Sequence, residues 1–267
     1  MGLKSVFEEL KKKKEKAFIP FLTMGYPSSS EMYDLFMAVQ EGGADILEVG
    51  IPFSDPVADG PVIQQTSKKA IDAGMTLKKA FEMLKDFRSR GFHLPVVLMG
   101  YANPFLAYGE EKLIDSMIQT KVSGVIIPDL PPSESLSLNE KLRSAQIDQI
   151  FFVAPTTPEK RIKKIAELSS GFIYCISTKG VTGADQKRTF TGLSKTVAKI
   201  KAYTDTPVCV GFGISNEKQI SEVCALSDGA IMASRLLKDL EKTAPSVRSQ
   251  TLLHAVKKFK KATFVNP

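Results

Sequence analysis

The sequence predicts an α/β protein built as a single (β/α)8 barrel, and three observations support this fold class. Eight short apolar runs alternate with segments whose apolar residues recur at spacings of three and four, as in helices packed on one face. The runs are apolar at consecutive positions, which is typical of parallel strands covered on both sides. They also recur about every 30 residues, the length of a βα unit. A doubly wound sheet is the alternative, because strand count alone does not prove closure.

The predicted elements follow one another without a Pro-, Ser- or Gly-rich linker, so we expect one domain over residues 1–267. Phe7 and Leu10, set among lysines, predict an extra N-terminal helix before the first strand. The predicted strands are residues 18–22, 46–50, 95–99, 124–127, 150–153, 172–176, 208–210 and 230–232.

Composition and charge narrow the class of protein. The chain is 43% apolar and 24% charged, which allows one sizeable core and excludes disordered and fibrous classes. The net charge is +7, but most of the basic residues do not form a patch among aromatic residues. The clear basic clusters lie at 11–16 and 257–261, in helix-like segments. We interpret these clusters as solvated helix faces and expect no nucleic-acid partner. The alternative is a charged partner surface. Binding of nucleic acid in particular would be revealed by salt-dependent retention on DNA.

The cysteines and the hydropathy pattern predict a cytoplasmic protein with no membrane contact. Cys175, Cys209 and Cys224 lack the spacing of metal ligands or of a redox pair, so we expect reduced thiols. No stretch approaches ~18 uninterrupted apolar residues. The amino end carries no apolar signal region after its first charges.

In such a barrel the chemistry lies at the carboxyl ends of the strands, and an acid interrupts the second one. Glu48 shares a pleat face with Ile46 and Gly50, while Leu47 and Val49 face the other way. If the acidic face is the barrel interior, desolvation raises the pKa of Glu48 and suits it to proton exchange near neutral pH. The alternative is a carboxylate paired with Lys or Arg at the strand end.

The loop after this strand, residues 51–61, carries Asp55, Asp59 and three prolines that restrict its backbone. We expect it to hold Asp59 near Glu48 or near the bound ligand. Asp55 either braces the loop or binds the ligand. A metal site is disfavoured, because neither histidine of the chain is nearby in sequence and Mg²⁺ would need phosphate or further carboxylates.

Three more segments follow the later strands. After Tyr174 the loop 177–185 contains two glycines, which predicts a mobile lid, with an inert surface loop as the alternative. Segments 211–215 and 233–235 follow the last two strands. Their glycines and helix starts let backbone N–H groups and aligned dipoles face an anion, which predicts a phosphate-bearing ligand.

These motifs resemble those of the tryptophan synthase alpha chain family, over essentially the whole chain. The resemblance is carried by residues 18–25, 48–64, 180–183 and 211–215. The run 48–64 is highly specific, because it combines an acid, a proline-braced loop and a second acid in the family's order.

The resemblance implies a lyase that cleaves indole-3-glycerol phosphate to indole and glyceraldehyde 3-phosphate, in the last steps of tryptophan biosynthesis. It implies no cofactor or metal in this subunit. The chemistry requires protonation of indole C3, removal of a glycerol hydroxyl proton and delocalisation of charge from the ring nitrogen. Glu48 would act as acid and base, Asp59 would stabilise N1, and Tyr174 would border the glycerol portion.

By the same resemblance, further residues would bind the substrate. Those expected to enclose the indole or its edge are Phe21, Tyr101, Ile126 and Phe212. Those expected to hold the phosphate are Gly183, Gly213, Ala233 and Ser234. Thr182 in the lid would close toward Asp59 and exclude water.

The resemblance also implies an α2β2 heterotetramer with a beta chain that uses pyridoxal phosphate. Segments 52–55 and 101–105 would meet the beta chain, and the closed, partner-bound form would be the more active. Three departures from the family pattern are Ala233 in place of a glycine, Thr178–Lys179 where an arginine is common, and the basic net charge.

Two alternatives to an active lyase of this family stay open. One is a catalytically weakened subunit that acts mainly as an allosteric activator of the beta chain. The other is a different phosphate-binding barrel of aromatic biosynthesis, such as an isomerase or indole-glycerol phosphate synthase. That enzyme would use different acids and usually a lysine deep in the barrel, and the predicted strand interiors contain none.

Overall fold

The computed structural model describes residues 2–177, 192–211 and 213–264, and every strand in it belongs to one parallel sheet. The strands are β1 (Ala17–Thr23), β2 (Leu47–Gly50), β3 (Val96–Met99), β4 (Val122–Ile126), β5 (Asp148–Ile150), β6 (Phe152–Val153), β7 (Ile173–Ile176), β8 (Val208–Gly211) and β9 (Gly229–Met232). The α-helices of the described residues are α1 (Leu3–Lys13), α2 (Met32–Glu41), α3 (Pro61–Asp72), α4 (Leu77–Ser89), α5 (Ala102–Tyr108), α6 (Glu110–Gln119), α7 (Leu136–Ser144), α8 (Glu159–Leu168), α9 (Leu193–Lys201), α10 (Glu217–Cys224), α11 (Ser234–Lys242) and α12 (Arg248–Lys261).

The sheet closes on itself through one interrupted strand. Its order is β5-β4-β3-β2-β1-β9-β8-β7-β6, and only Phe151 separates β5 from β6 along the chain. The Phe151 carbonyl accepts a hydrogen bond from the Tyr174 N–H (3.0 Å), so the backbone continues from one partner strand to the other. With β5 and β6 counted as one strand, eight strand positions surround the barrel. The predicted (β/α)8 barrel is confirmed, and the doubly wound alternative is wrong.

Side chains along each strand alternate between the barrel interior and the layer of helices. Leu47 and Val49 pack in the outer hydrophobic cluster, whereas Ile46 packs in the inner one. Glu48 therefore faces the interior, where its neighbours in register are Phe21 of β1 and Val97 of β3. The pleat face predicted from the period of two is the one that the structure has.

The extra N-terminal helix closes the amino-terminal end of the barrel. The buried side chains of α1, from Leu3 to Leu10, pack with the interior cluster and not with the outer one. The Phe7 ring lies 6.1 Å from the Phe172 ring, centroid to centroid. Leu3 packs closely against Gly171, since a Cβ on Gly171 would lie 2.6 Å from Leu3 Cδ1. The polar interior residues are thus left at the opposite end, where the strands finish.

The two basic clusters lie at the carboxyl ends of helices. Lys11, Lys12 and Lys13 occupy the last turn of α1, and the last turn of α12 is also rich in lysine. Cations at this end of a helix interact favourably with its dipole. Most of these lysines are exposed, as expected of solvated helix faces. Lys260 is an exception, because its largely buried side chain forms an ion pair with Asp45 (2.9 Å). Among the described residues, none of the helices is both long enough and apolar enough to cross a membrane.

Candidate active site

Glu48 is a carboxyl group almost completely removed from water. The residue is 1% exposed, and its Oε2 atom has no hydrogen-bond partner. Within the described part of the chain, no Lys or Arg forms an ion pair with it, so the ion-paired alternative is not supported. Burial, and to a smaller extent the charge of Asp59, raises its pKa to about 8. Such a group is protonated at neutral pH and can both give and take a proton.

Asp59 lies at the end of the loop that joins β2 to α3. The Asp59 N–H donates to the Pro56 carbonyl (3.0 Å), and the Asp59 carbonyl accepts a hydrogen bond from the Gln64 side-chain amide (2.9 Å). The Tyr101 hydroxyl donates to Asp59 Oδ2 at 3.0 Å. These contacts hold a carboxyl group that is only 6% exposed in a defined place at the end of the barrel.

The environments of the two acids separate their pKa values. Burial raises the pKa of Asp59 to about 6. The hydrogen bond from Tyr101 opposes this effect of desolvation and so limits the rise. The pKa of Glu48 rises to about 8, partly through the charge of Asp59. At neutral pH the pair therefore holds one proton, mainly on Glu48, with the negative charge mainly on Asp59. One site thus offers a proton donor beside an anion.

Asp55 is not part of this buried pair. It is exposed, and its carboxylate accepts a hydrogen bond from the hydroxyl of its neighbour Ser54. The Val57 N–H donates to the Asp55 carbonyl (2.9 Å), which gives the loop a tight turn. Of the two roles considered for Asp55, bracing the loop is the one that these contacts support.

Tyr174 projects from β7 into the same interior. It is 5% exposed, and its ring lies 4.6 Å from that of Phe152. Burial raises its pKa well above the ordinary value, and the charges of Glu48 and Asp59 raise it further, so it stays a neutral phenol. Tyr174 belongs to the same buried interior cluster as Phe21, the register neighbour of Glu48.

Gly211, at the end of β8, leaves room for that tyrosine. A Cβ on Gly211 would lie 2.2 Å from the Tyr174 hydroxyl oxygen. The sequence analysis connected the segment 211–215 with an anion, and that role stays a prediction. The structure shows in addition that Gly211 makes room for Tyr174. Gly50 has a similar role on β2, since a Cβ there would lie 2.3 Å from Cζ of Phe21.

The apolar residues proposed for the indole occupy neighbouring strands around the acids. Phe21 of β1 and Ile126 of β4 are fully or almost fully buried in the interior cluster. Tyr101 follows β3 and packs its ring against that of Phe53, with the centroids 5.3 Å apart. The sequence analysis assigned neither Phe53 nor Gln64 a role beside Asp59. Phe53 lies in the proline-containing loop and Gln64 lies in α3, and their place in the specific run 48–64 was the available signal.

The two segments proposed for the phosphate lie side by side. Arg235, in the first turn of α11, donates from Nη1 to the Ser215 carbonyl in the segment after β8 (3.2 Å). Gly213 has a φ of +79°, a conformation that glycine adopts readily. Ser234 begins α11, and its N-cap residue, Ala233, makes no side-chain hydrogen bond to the first turn. A helix start without such a cap leaves N–H groups for an anion.

Three of the predicted substrate-binding residues, Thr182, Gly183 and Phe212, lie outside the described residues, as does most of the predicted lid. Their roles stay predictions. Among the residues that are described, no group of three His, Cys, Asp or Glu side chains could hold a metal ion.

The fold and the site together define a (β/α)8-barrel protein with two coupled carboxyl groups inside the carboxyl-terminal end of the barrel. The family model described as tryptophan synthase alpha chain matches residues 7–264. The chain belongs to the tryptophan synthase alpha chain family.

Individual relatives show the same similarity. The chain is 43% identical over 239 residues to the tryptophan synthase alpha chain of Roseiflexus castenholzii, covering 90% of this chain and 91% of that one. It is 45% identical over 240 residues to that of Desulfatibacillum aliphaticivorans, covering 90% and 89%. A chain of Mycobacterium tuberculosis tryptophan synthase superposes with a TM-score of 0.89 at 30% identity, covering 99% of this chain and 98% of that one.

Proposed function

We propose that the chain is a carbon–carbon lyase that cleaves indole-3-glycerol phosphate to indole and glyceraldehyde 3-phosphate in tryptophan biosynthesis. The observation that carries the proposal is the buried acid pair. Glu48, with a pKa of about 8, holds a proton at neutral pH, and Asp59, with a pKa of about 6, is mostly an anion. The reaction needs one group of each kind.

In the proposed reaction Glu48 first donates its proton to indole C3. The positive charge that develops on the ring is shared by N1, and the Asp59 carboxylate stabilises it from the N1–H side. The Glu48 carboxylate then takes the proton of the glycerol hydroxyl next to C3. The carbon–carbon bond breaks, its electron pair restores the indole ring, and the hydroxyl carbon becomes the aldehyde. Glu48 ends the cycle protonated, as it began.

The surrounding residues would bind the substrate. Phe21 and Ile126 supply an apolar wall for the flat ring. The start of α11 at Ser234 and the Gly213 segment supply N–H groups for the phosphate, since Arg235 holds these two segments together. We place Thr182, Gly183 and Phe212 in the same site on the family resemblance alone.

We further propose that the chain acts with a beta chain, in an α2β2 assembly whose beta chain holds pyridoxal phosphate. Family membership supports this partner. Val57 is 79% exposed and Leu106 is 67% exposed, and these apolar side chains follow closely on the segments 52–55 and 101–105 that are expected at the interface. The three buried, unpaired cysteines agree with a cytoplasmic location, which we propose on that basis.

The test is indole release from indole-3-glycerol phosphate by the purified chain, alone and with a beta chain. We expect slow release that accelerates with the beta chain and that is lost in Glu48→Gln. Glu222→Gln, at an exposed position of α10, is the matched control and should behave as the unaltered chain does. Absence of release from a folded chain that still activates the beta chain would overturn the proposal. It would instead indicate the weakened, activating subunit.

A further inference from the structure

Tyr101 contacts both ends of the loop that carries Asp59. Its ring packs against Phe53, where the loop begins (5.3 Å between centroids). Its hydroxyl bonds the backbone of Ala58 and the side chain of Asp59, where the loop ends. The middle of the loop projects outward, with Val57 79% exposed. One side chain thus fixes the two ends of a segment whose middle is in solvent.

The donor and acceptor capacities of the partner groups determine the direction of both hydrogen bonds at the Tyr101 hydroxyl. The Ala58 backbone N–H can only donate, so the hydroxyl oxygen accepts there (3.1 Å). The single hydroxyl proton is then free to point at Asp59 Oδ2 (3.0 Å). A donated hydrogen bond of this kind favours a charged carboxylate over a neutral acid.

The tyrosine itself is held firmly by the end of β3. The Gly100 N–H before it donates to the Ile126 carbonyl (3.0 Å), and the Ala102 N–H after it donates to Asp129 Oδ1 (2.9 Å). The Tyr101 side chain is only 2% exposed. A hydroxyl on so rigid a support can select one orientation of the Asp59 carboxylate.

We propose that Tyr101 is a positioning residue for Asp59, which it holds by Oδ2 so that Oδ1 is left to meet the ring N1–H of the substrate. This inference rests on the proposed lyase function and assigns Tyr101 a role beyond the aromatic wall. The titratable groups that face Asp59 include Glu48 of β2, Tyr174 of β7 and Tyr101 itself, since the charge of Asp59 raises the pKa of each. Tyr101 donates a hydrogen bond to Asp59 Oδ2.

The test is Tyr101→Phe, which keeps the ring and removes the hydroxyl. Without the hydrogen bond the Asp59 carboxyl holds its proton more tightly. We therefore expect the acid limb of the pH profile for indole release to move up by about 1 pH unit, with kcat about tenfold lower and KM little changed. The ¹³C resonance of the Asp59 carboxyl, followed by NMR without substrate, should titrate at correspondingly higher pH. Tyr108→Phe removes a hydroxyl that instead bonds Ser116 (3.1 Å) and should change neither measurement.

The outcomes separate this inference from the function on which it rests. If the unaltered chain releases no indole, the proposed function fails, and the NMR titration still tests the contact. If the chain is active but Tyr101→Phe leaves both the acid limb and the Asp59 titration unchanged, the positioning role is overturned. Should Tyr101→Phe not fold, 3-fluorotyrosine placed at residue 101 alone is a stronger donor and should move both measurements to lower pH. An unchanged titration there would overturn the proposal equally.

Discussion

The hydroxyl of Tyr174 occupies the space that any side chain at Gly211 would need. A Cβ on Gly211 would lie 2.2 Å from the hydroxyl oxygen and 2.6 Å from two ring carbons of Tyr174. The two residues belong to the paired strands β7 and β8, in which Tyr174 is in register with Cys209. The phenol lies across its neighbouring strand and is held beside the two acids. The position of the Tyr174 ring therefore depends on the absence of a side chain at Gly211.

Replacing Gly211 with alanine should displace the Tyr174 ring. Because the interior offers little room, we expect Gly211→Ala to cost about 1–3 kcal/mol of unfolding free energy, and chemical denaturation measures this cost. Indole release should fall at least about tenfold, since misplacement by an ångström can cost that much or more. The double variant with Tyr174→Leu removes the ring and should recover much of the stability but not the activity. An unaltered denaturation midpoint in Gly211→Ala would show that the close contact is absent.

Glu48 should make the folded protein less stable as the pH rises. Its pKa in the folded chain, about 8, is above the ordinary value of 4.5. The unfolded chain thus releases the proton first, and stability that is fully present below pH 4.5 is lost progressively up to about pH 8. We expect Glu48→Gln, which does not titrate, to gain stability relative to the unaltered chain over this range, by roughly 3 kcal/mol near pH 7.

Urea unfolding of both chains at several pH values between 4.5 and 8 measures that difference. Glu222→Gln, at an exposed position, is the control for removing a carboxyl group from the chain. A constant difference between Glu48→Gln and the unaltered chain would contradict the burial of a titrating acid.

Asp59→Asn should affect both turnover and the titration of its neighbour. A neutral amide stabilises positive charge at N1 poorly, so we expect kcat to fall by about a hundredfold or more while substrate binding is retained. The charge of Asp59 helps to raise the pKa of Glu48 to about 8, and its removal should lower that pKa. The ¹³C resonance of the Glu48 carboxyl reports this shift directly. An unchanged Glu48 titration would show that the two carboxyl groups are not coupled.

Features that depend on local periodicity could be predicted from the sequence. The alternation along β2 was enough to put Glu48 on one face with Ile46 and Gly50, because the period of a strand is two residues. That this face is the barrel interior became clear only from the structure. The interruption at Phe151 could not be predicted, since a buried run of consecutive apolar residues looks the same whether or not the strand changes partner within it.

Contacts between residues far apart in the chain could not be predicted from the sequence. Tyr101 was expected to line the indole pocket, and its hydrogen bond to Asp59 depends on how β3 and the loop after β2 pack together. Gly211 was connected with an anion because glycines near helix starts commonly have that role. Its contact with Tyr174, 37 positions earlier in the chain, becomes visible only once β7 and β8 are paired.

Helix α1 determines at which end of the barrel a small molecule can enter or leave. Because Leu3 and Phe7 fill the amino-terminal end, the described part of the barrel resembles a cup with a solid base and not a tube. The closed base offers no way out at the amino-terminal end, so a molecule cleaved near Glu48 would release its fragments toward the rim at the carboxyl-terminal end. Any protein seated over the rim would therefore stand in the exit route of the apolar fragment.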